Sequence, residues 1–178
     1  MKDISSSESC ATHNWAQNGW QPKTEQIPNS GTDARPARAP SVFVPVDFSP
    51  ASMEAARVGL RIAGSISGQL VLCHALTLNL TPYGPANLPA IKAGLYKEAS
   101  QRAEPIMIAA QQAGVPAICL IEEGKPAEVI TRMARRWNAD LIVLTTRLRG
   151  GLMRFLRRRT AEQIMRKAPC PVVALQAG

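Results

Sequence analysis

The chain has 178 residues, 46% of them hydrophobic but only 4% aromatic, and a formal net charge of +8, which fits one domain with an aliphatic core plus a tail. No apolar run approaches the ~20 residues that span a bilayer, and the opening MKDISSSESCATHNW lacks the apolar stretch of a secretory signal, so a soluble, cytoplasmic protein with no membrane partner is expected. The charge is local: Arg147, Arg149, Arg154, Arg157, Arg158, Arg159, Arg166 and Lys167 face only Glu162 within one segment, which implies an anionic partner more strongly than diffuse basicity would.

Residues 1–40 are rich in Ser, Asn, Gln, Thr, Gly and Pro, with opposing charges and no sustained period. They read as a disordered tail. Trp15 and Trp20 stand out in it, either as an incidental pair or as a docking feature for a folded surface. Residues 41–178 read as the folded domain.

SVFVPVDF, from Ser41, is a β-prone run and the first expected strand. Ser49 is placed to cap a helix that opens at Pro50 and continues through ASMEAARVGLRIAGSIS. Gly68 ends that unit, and QLVLCHAL is the second strand. A Pro/Gly-rich connection leads to a helical pattern over residues 90–113, where Pro105 is expected to kink or break the helix. PAICLIEEG is the third strand, Pro126 opens the helix PAEVITRMARRWNA, DLIVLTT is the fourth strand and CPVVAL the fifth. Strands alternating with helices through short connections imply right-handed crossovers, and hence an α/β fold: an open five-stranded parallel sheet with helices on both faces.

In such sheets ligands bind beyond the carboxyl ends of the strands, where strand order reverses. If the first and fourth strands are neighbours, that crevice gathers Asp47, the His74–Ala75 exit of the second strand, and Thr145 to Arg149, including Arg147. Thr160-Ala161-Glu162-Gln163 matches a capping box, so a helix is expected to start after Thr160 and to offer its amino terminus to anions. Asp47 also has a plain reading as part of the cap of the first helix, and His74 as a packed, hydrogen-bonded residue. Cys10, Cys73, Cys119 and Cys170 form no metal or redox spacing and read as structural thiols in a reducing compartment. No metal site, nucleophile elbow, phosphate-binding Gly-x-x-x-x-Gly-Lys loop or catalytic triad is present in the pattern.

The ordered set VPVDFSP, LCHAL, EEGKPAEVI, ADLIVL, GGLMRFL and AEQIMRKAPCPVVAL resembles the universal stress protein family over residues 41–176. The resemblance implies a Rossmann-like, adenine nucleotide alpha hydrolase-like sheet in the order 3-2-1-4-5. It also implies a homodimer joined through Pro171, Val172, Val173, Ala174 and Leu175, and a regulatory rather than catalytic role. In nucleotide-binding members the residue matching Asp47 lies against the adenosine, backbone near Ala75 borders the adenine, and the positions of Leu144 and Thr145 line the ribose. Their phosphate loop, Gly-x2-Gly-x9-Gly-Ser/Thr, falls here on Thr145, Leu148, Arg158 and Arg159, with Thr160 next in line.

Those glycines matter because they adopt positive φ and let the backbone approach phosphate oxygens. All three are replaced here, so the usual ATP cradle is expected to be weak or lost, and no cofactor is certain, ATP being the candidate. The arginines suit phosphate recognition through side chains instead. They equally suit a solvated edge with ion pairs, or an acidic protein partner. The pyrophosphate loop of adenylating relatives is absent, since Asp47-Phe48-Ser49-Pro50 occupies its place. A sequence-independent polyanion or nucleic-acid binder is a further reading, for which Phe155 is the only stacking residue near the basic segment.

Overall fold

The computed structural model describes residues 38–77, 88–147 and 153–177, with the side chains of 147–158 and 177 outside that description. Trp15, Trp20, Cys10 and Leu148 therefore lie outside the described residues. The elements run β1 (Ser41–Pro45), α1 (Pro50–Ser65), β2 (Gln69–Leu76), α2 (Leu88–Gln112), β3 (Ala117–Glu123), α3 (Pro126–Arg136), β4 (Leu141–Arg147), α4 (Met153–Lys167) and β5 (Val172–Ala177). All strand pairs are parallel, in the order β3-β2-β1-β4-β5.

The strands are continuous apolar runs because each face of the sheet is covered. Val42, Val44, Leu70 and Leu72 pack with α1 and α2, while Phe43, Val71, Cys73 and Ile142 pack with α3 and α4. The period of two is thus read out as two separate cores, one on each side. The narrow strip of Ala51, Ala55, Ala56, Gly59 and Ala63 lets α1 sit close over β1 and β4. Ser49 caps α1, its side chain accepting the N–H of Ser52 at 3.3 Å, and Pro50 occupies the first turn.

One expectation is narrowed and one is corrected. First, α2 does not break at Pro105 but continues through it to Gln112. The carbonyl that loses its donor belongs to Gln101; both Gln101 and Pro105 lie on the exposed side, while Ala99, Ala103, Ile106 and Ala110 anchor the helix on the other. Water can satisfy the orphan there. Second, α4 does not start after Thr160 but at Met153. With arginine in place of glycine at 158, Met-Arg-Phe-Leu-Arg-Arg-Arg is an uninterrupted run with no helix breaker, rich in strong helix formers.

At the amino-terminal end of the sheet, Asp140 joins the start of β1 to that of β4. Its Oδ2 accepts the Ser41 N–H at 2.8 Å, its own N–H donates to the Ser41 carbonyl at 2.9 Å, and Arg38 pairs with it at 3.0 Å. Arg38 also donates to the Asn138 carbonyl.

Candidate functional site

β1 and β2 stay paired over Ser41–Pro45, and the Val46 N–H still reaches the Cys73 carbonyl at 2.8 Å. β1 and β4, by contrast, pair only at Val42–Leu141 and Phe43–Ile142. Beyond Phe43 the two strands part while β4 stays with β5 as far as Arg147. The crevice at the topological switch point is therefore present.

Asp47 stands exposed at its edge. Its Oδ1 accepts the Ser49 N–H at 2.9 Å and its own N–H donates to Ser52 Oγ at 3.3 Å. It is thus bound into the turn that presents the α1 cap, although the capping side chain is that of Ser49. Phe48 follows with φ of 58°, in the left-handed region, a conformation costing ~1–2 kcal/mol for a residue with a Cβ. That conformation turns its ring down into the core under α2, where it lies 4.6 Å from the His74 ring and 5.2 Å from the Arg102 guanidinium.

His74 is the packed, hydrogen-bonded residue expected from its strand position. Its Nδ1 lies 2.8 Å from the Val46 carbonyl, which can only accept, so the proton sits on Nδ1. Burial lowers its pKa; the Val46 bond and the Asp47 and Glu98 charges work against this, and Arg102 works with it. The thiols are those of structural cysteines: burial pushes Cys119 up to about 12, raises Cys73 further and raises Cys170 as well, the last helped by Asp140. A raised thiol pKa leaves little thiolate for chemistry. Among the described residues no group of three His, Cys, Asp or Glu side chains could hold a metal.

Ala75 is half-buried in β2, opposite Glu122 of β3. Leu144 is buried in the core under α3 and α4, which leaves its backbone rather than its side chain for the crevice. Thr145 is half-buried beside Leu175. Arg147 ends β4, and Leu148 lies outside the described residues. Arg158, Arg159 and Thr160 sit inside α4, Arg159 exposed and Thr160 half-buried, so Thr160 caps no helix start. Because α4 runs through Thr160, the capping box does not form.

One feature escaped the sequence reading. Leu76, Thr77, Glu123, Gly124 and Lys125 line an open groove of about 320 Å³ at the ends of β2 and β3. Glu123 is held there by Lys92 at 2.8 Å and by the Tyr96 hydroxyl at 3.5 Å. Gly124, with φ of 138°, was the one available signal, since that turn closes the two strands through its N–H to the Leu76 carbonyl at 3.0 Å.

Pro171, Val172, Val173, Ala174 and Leu175 lie on an edge of the sheet. The strand itself runs Val172–Ala177, with Pro171 just before it. Pro171, Val173 and Ala174 are exposed, Val173 at 38%.

Comparison with known proteins accounts for this architecture. The family model described as "Universal stress protein family" matches residues 40–176. A universal stress protein of Methanocaldococcus jannaschii is 30% identical over 141 residues, covering 76% of this chain and 81% of that protein. Among solved structures, a universal stress protein of Lactobacillus plantarum superposes with a TM-score of 0.62 at 24% identity, covering 79% of this chain and 99% of that one. A family member from Arabidopsis thaliana, solved with AMP bound, gives a TM-score of 0.57 at 17% identity over 78% of this chain and 92% of its own. The chain belongs to the universal stress protein family.

Proposed function

We propose that this is a non-catalytic, cytoplasmic regulatory protein of the universal stress type, a homodimer whose nucleotide crevice has been remodelled so that ATP binding is weak or lost. In this reading residues 41–178 are the working domain and residues 1–40 an appended tail. The observation that supports it most is the start of α4 at Met153. Beyond its first four residues an α-helix commits each backbone N–H to a carbonyl four residues back. The amides of Arg158, Arg159 and Thr160 are therefore spent inside the helix, where a glycine-bearing loop would offer them to phosphate.

The open edge of β5 supports the homodimer. Among the described residues β5 pairs only with β4, and Val172–Ala177 carries no charge to discourage a second strand. At the opposite edge, β3 ends in Glu122 and Glu123.

The second reading is a nucleotide-binding protein in which Arg147, Arg158 and Arg159 clamp phosphate through their side chains, near Asp47, Ala75, Leu144 and Thr145. The bound AMP of the Arabidopsis thaliana relative favours it. Mass spectrometry of the small molecules released on denaturing fresh protein, followed by ATP titration calorimetry, separates the two. An empty site and no heat are expected. Tight ATP binding lost in the double variant Arg158→Ala, Arg159→Ala would establish the clamp and overturn the first reading.

A further inference from the structure

Basic residues that are neighbours in the sequence are divided in the fold. Because α4 is a single helix from Met153 to Lys167, Arg166 lies about 12 Å along the axis from Arg158. The start of α4 at Met153 thus belongs to the crevice end of the sheet, whereas Arg166 and Lys167 belong to the opposite end. There they meet cations from another part of the chain. The Arg135 guanidinium donates to the Lys167 carbonyl at 3.1 Å, which joins the carboxyl ends of α3 and α4. Arg135, Arg136, Arg166 and Lys167 are all exposed, and among the described residues none forms an ion pair.

Helix dipoles and the bond from Arg135 account for one cation at each helix end. They do not account for four, nor for the residue that follows Arg136. Trp137 ends α3 with 36% of its surface exposed. An aromatic residue outside the basic segment, which itself carries Phe155, thus stands at the end of a different helix. Against the four cations stand Asp140, already held by Arg38 at 3.0 Å, and Glu162, one turn before Arg166 on α4. A cationic surface with one half-covered indole has the two features that bind a single strand without reading its sequence: attraction for phosphates and a flat face for a base.

We propose that the joined carboxyl ends of α3 and α4 form a binding surface for single-stranded nucleic acid. Arg135, Arg136, Arg166 and Lys167 take successive phosphates, and a base stacks on Trp137. This surface lies at the far end of the sheet from the nucleotide crevice and does not depend on whether that crevice binds anything.

The test is fluorescence anisotropy of a labelled oligouridine of about 20 nucleotides, a length above the usual site size, with the full chain. Four phosphate contacts predict a roughly 50-fold loss of affinity between about 50 and 200 mM salt. The triple variant Arg136→Gln, Arg166→Gln, Lys167→Gln, which keeps the Arg135 bond, binds more weakly and loses only about 3-fold over the same range. Trp137→Ala weakens binding about 10-fold, and Trp137→Phe restores part of it. Thermal melting of each variant separates a lost contact from a lost fold, and Arg136→Gln alone serves if the triple variant fails to fold. The proposal is overturned by absence of binding at the lower salt, by equal affinity for a duplex, or by binding to phosphatidylglycerol vesicles in place of the oligonucleotide. It is overturned equally if only Arg157→Gln, Arg158→Gln and Arg159→Gln abolish binding.

Discussion

The Ser49 N–H lies 2.9 Å from Asp47 Oδ1, and the Ser49 side chain in turn accepts the N–H of Ser52. An acidic residue at the mouth of the crevice is therefore also part of the support for α1. Losing the cap through Ser49→Ala costs about 1 kcal/mol of stability, within the usual range for such residues. Asp47→Asn, which keeps an oxygen acceptor, costs less. Urea unfolding of the two variants checks the order.

Gly59 faces the fully buried Val44 so closely that an added Cβ would stand 2.5 Å from Val44 Cγ2. Alanine there gains helix propensity of about 1 kcal/mol, but overpacking against a strand that cannot retreat costs about 1–3 kcal/mol. Gly59→Ala is expected to lower the melting temperature. Gly94 is the contrast, with nothing within 4 Å of its added Cβ. Gly94→Ala in α2 is expected to be stabilising by up to about 1 kcal/mol.

His74 is held neutral by burial, so its folded pKa lies below the ordinary 6.5. The unfolded chain then binds more protons than the folded one between the two values, and stability rises with pH in that window. The contribution is complete above about pH 6.5 and is lost as pH falls through the folded value. His74→Gln is expected to flatten this part of the stability–pH curve. Urea midpoints from pH 5 to 8 read it directly, and an unchanged slope would count against the assignment.

Val173 is 38% exposed on the edge strand β5. Val173→Lys places a charge on that edge and, in a symmetric pairing, two like charges close together. The expected result is a dimer in light scattering for the parent chain and a monomer for the variant, with similar melting at low concentration. A parent chain that is monomeric at micromolar concentration removes the dimer from the proposal.

Burial decides thiol behaviour in the same way. Cys73 and Cys119 are expected to resist maleimide until the chain is unfolded, because their thiols are pushed far above neutral pH. Cys170, less deeply placed, reacts first of the three. Peptide mapping after timed labelling reports the order.

The sequence determined the alternation of strands and helices, because continuous β-branched runs and helical stripes have different periods and each must bury its apolar side. Local chemistry also sufficed for the Ser49–Pro50 start of α1, for Pro126 at the start of α3 and for the packed state of His74. These depend on a few neighbouring residues. Only the tertiary structure decided where α4 begins, since the Thr160 capping box is one local optimum and a helix carried back to Met153 is another. It also decided that α2 runs through Pro105, because the anchored face of the helix lies opposite the lost hydrogen bond. The bond that joins Arg135 of α3 to Lys167 at the end of α4 could not be read along the chain at all. It depends on two crossover helices packing side by side on one face of a parallel sheet, which brings together residues about thirty positions apart.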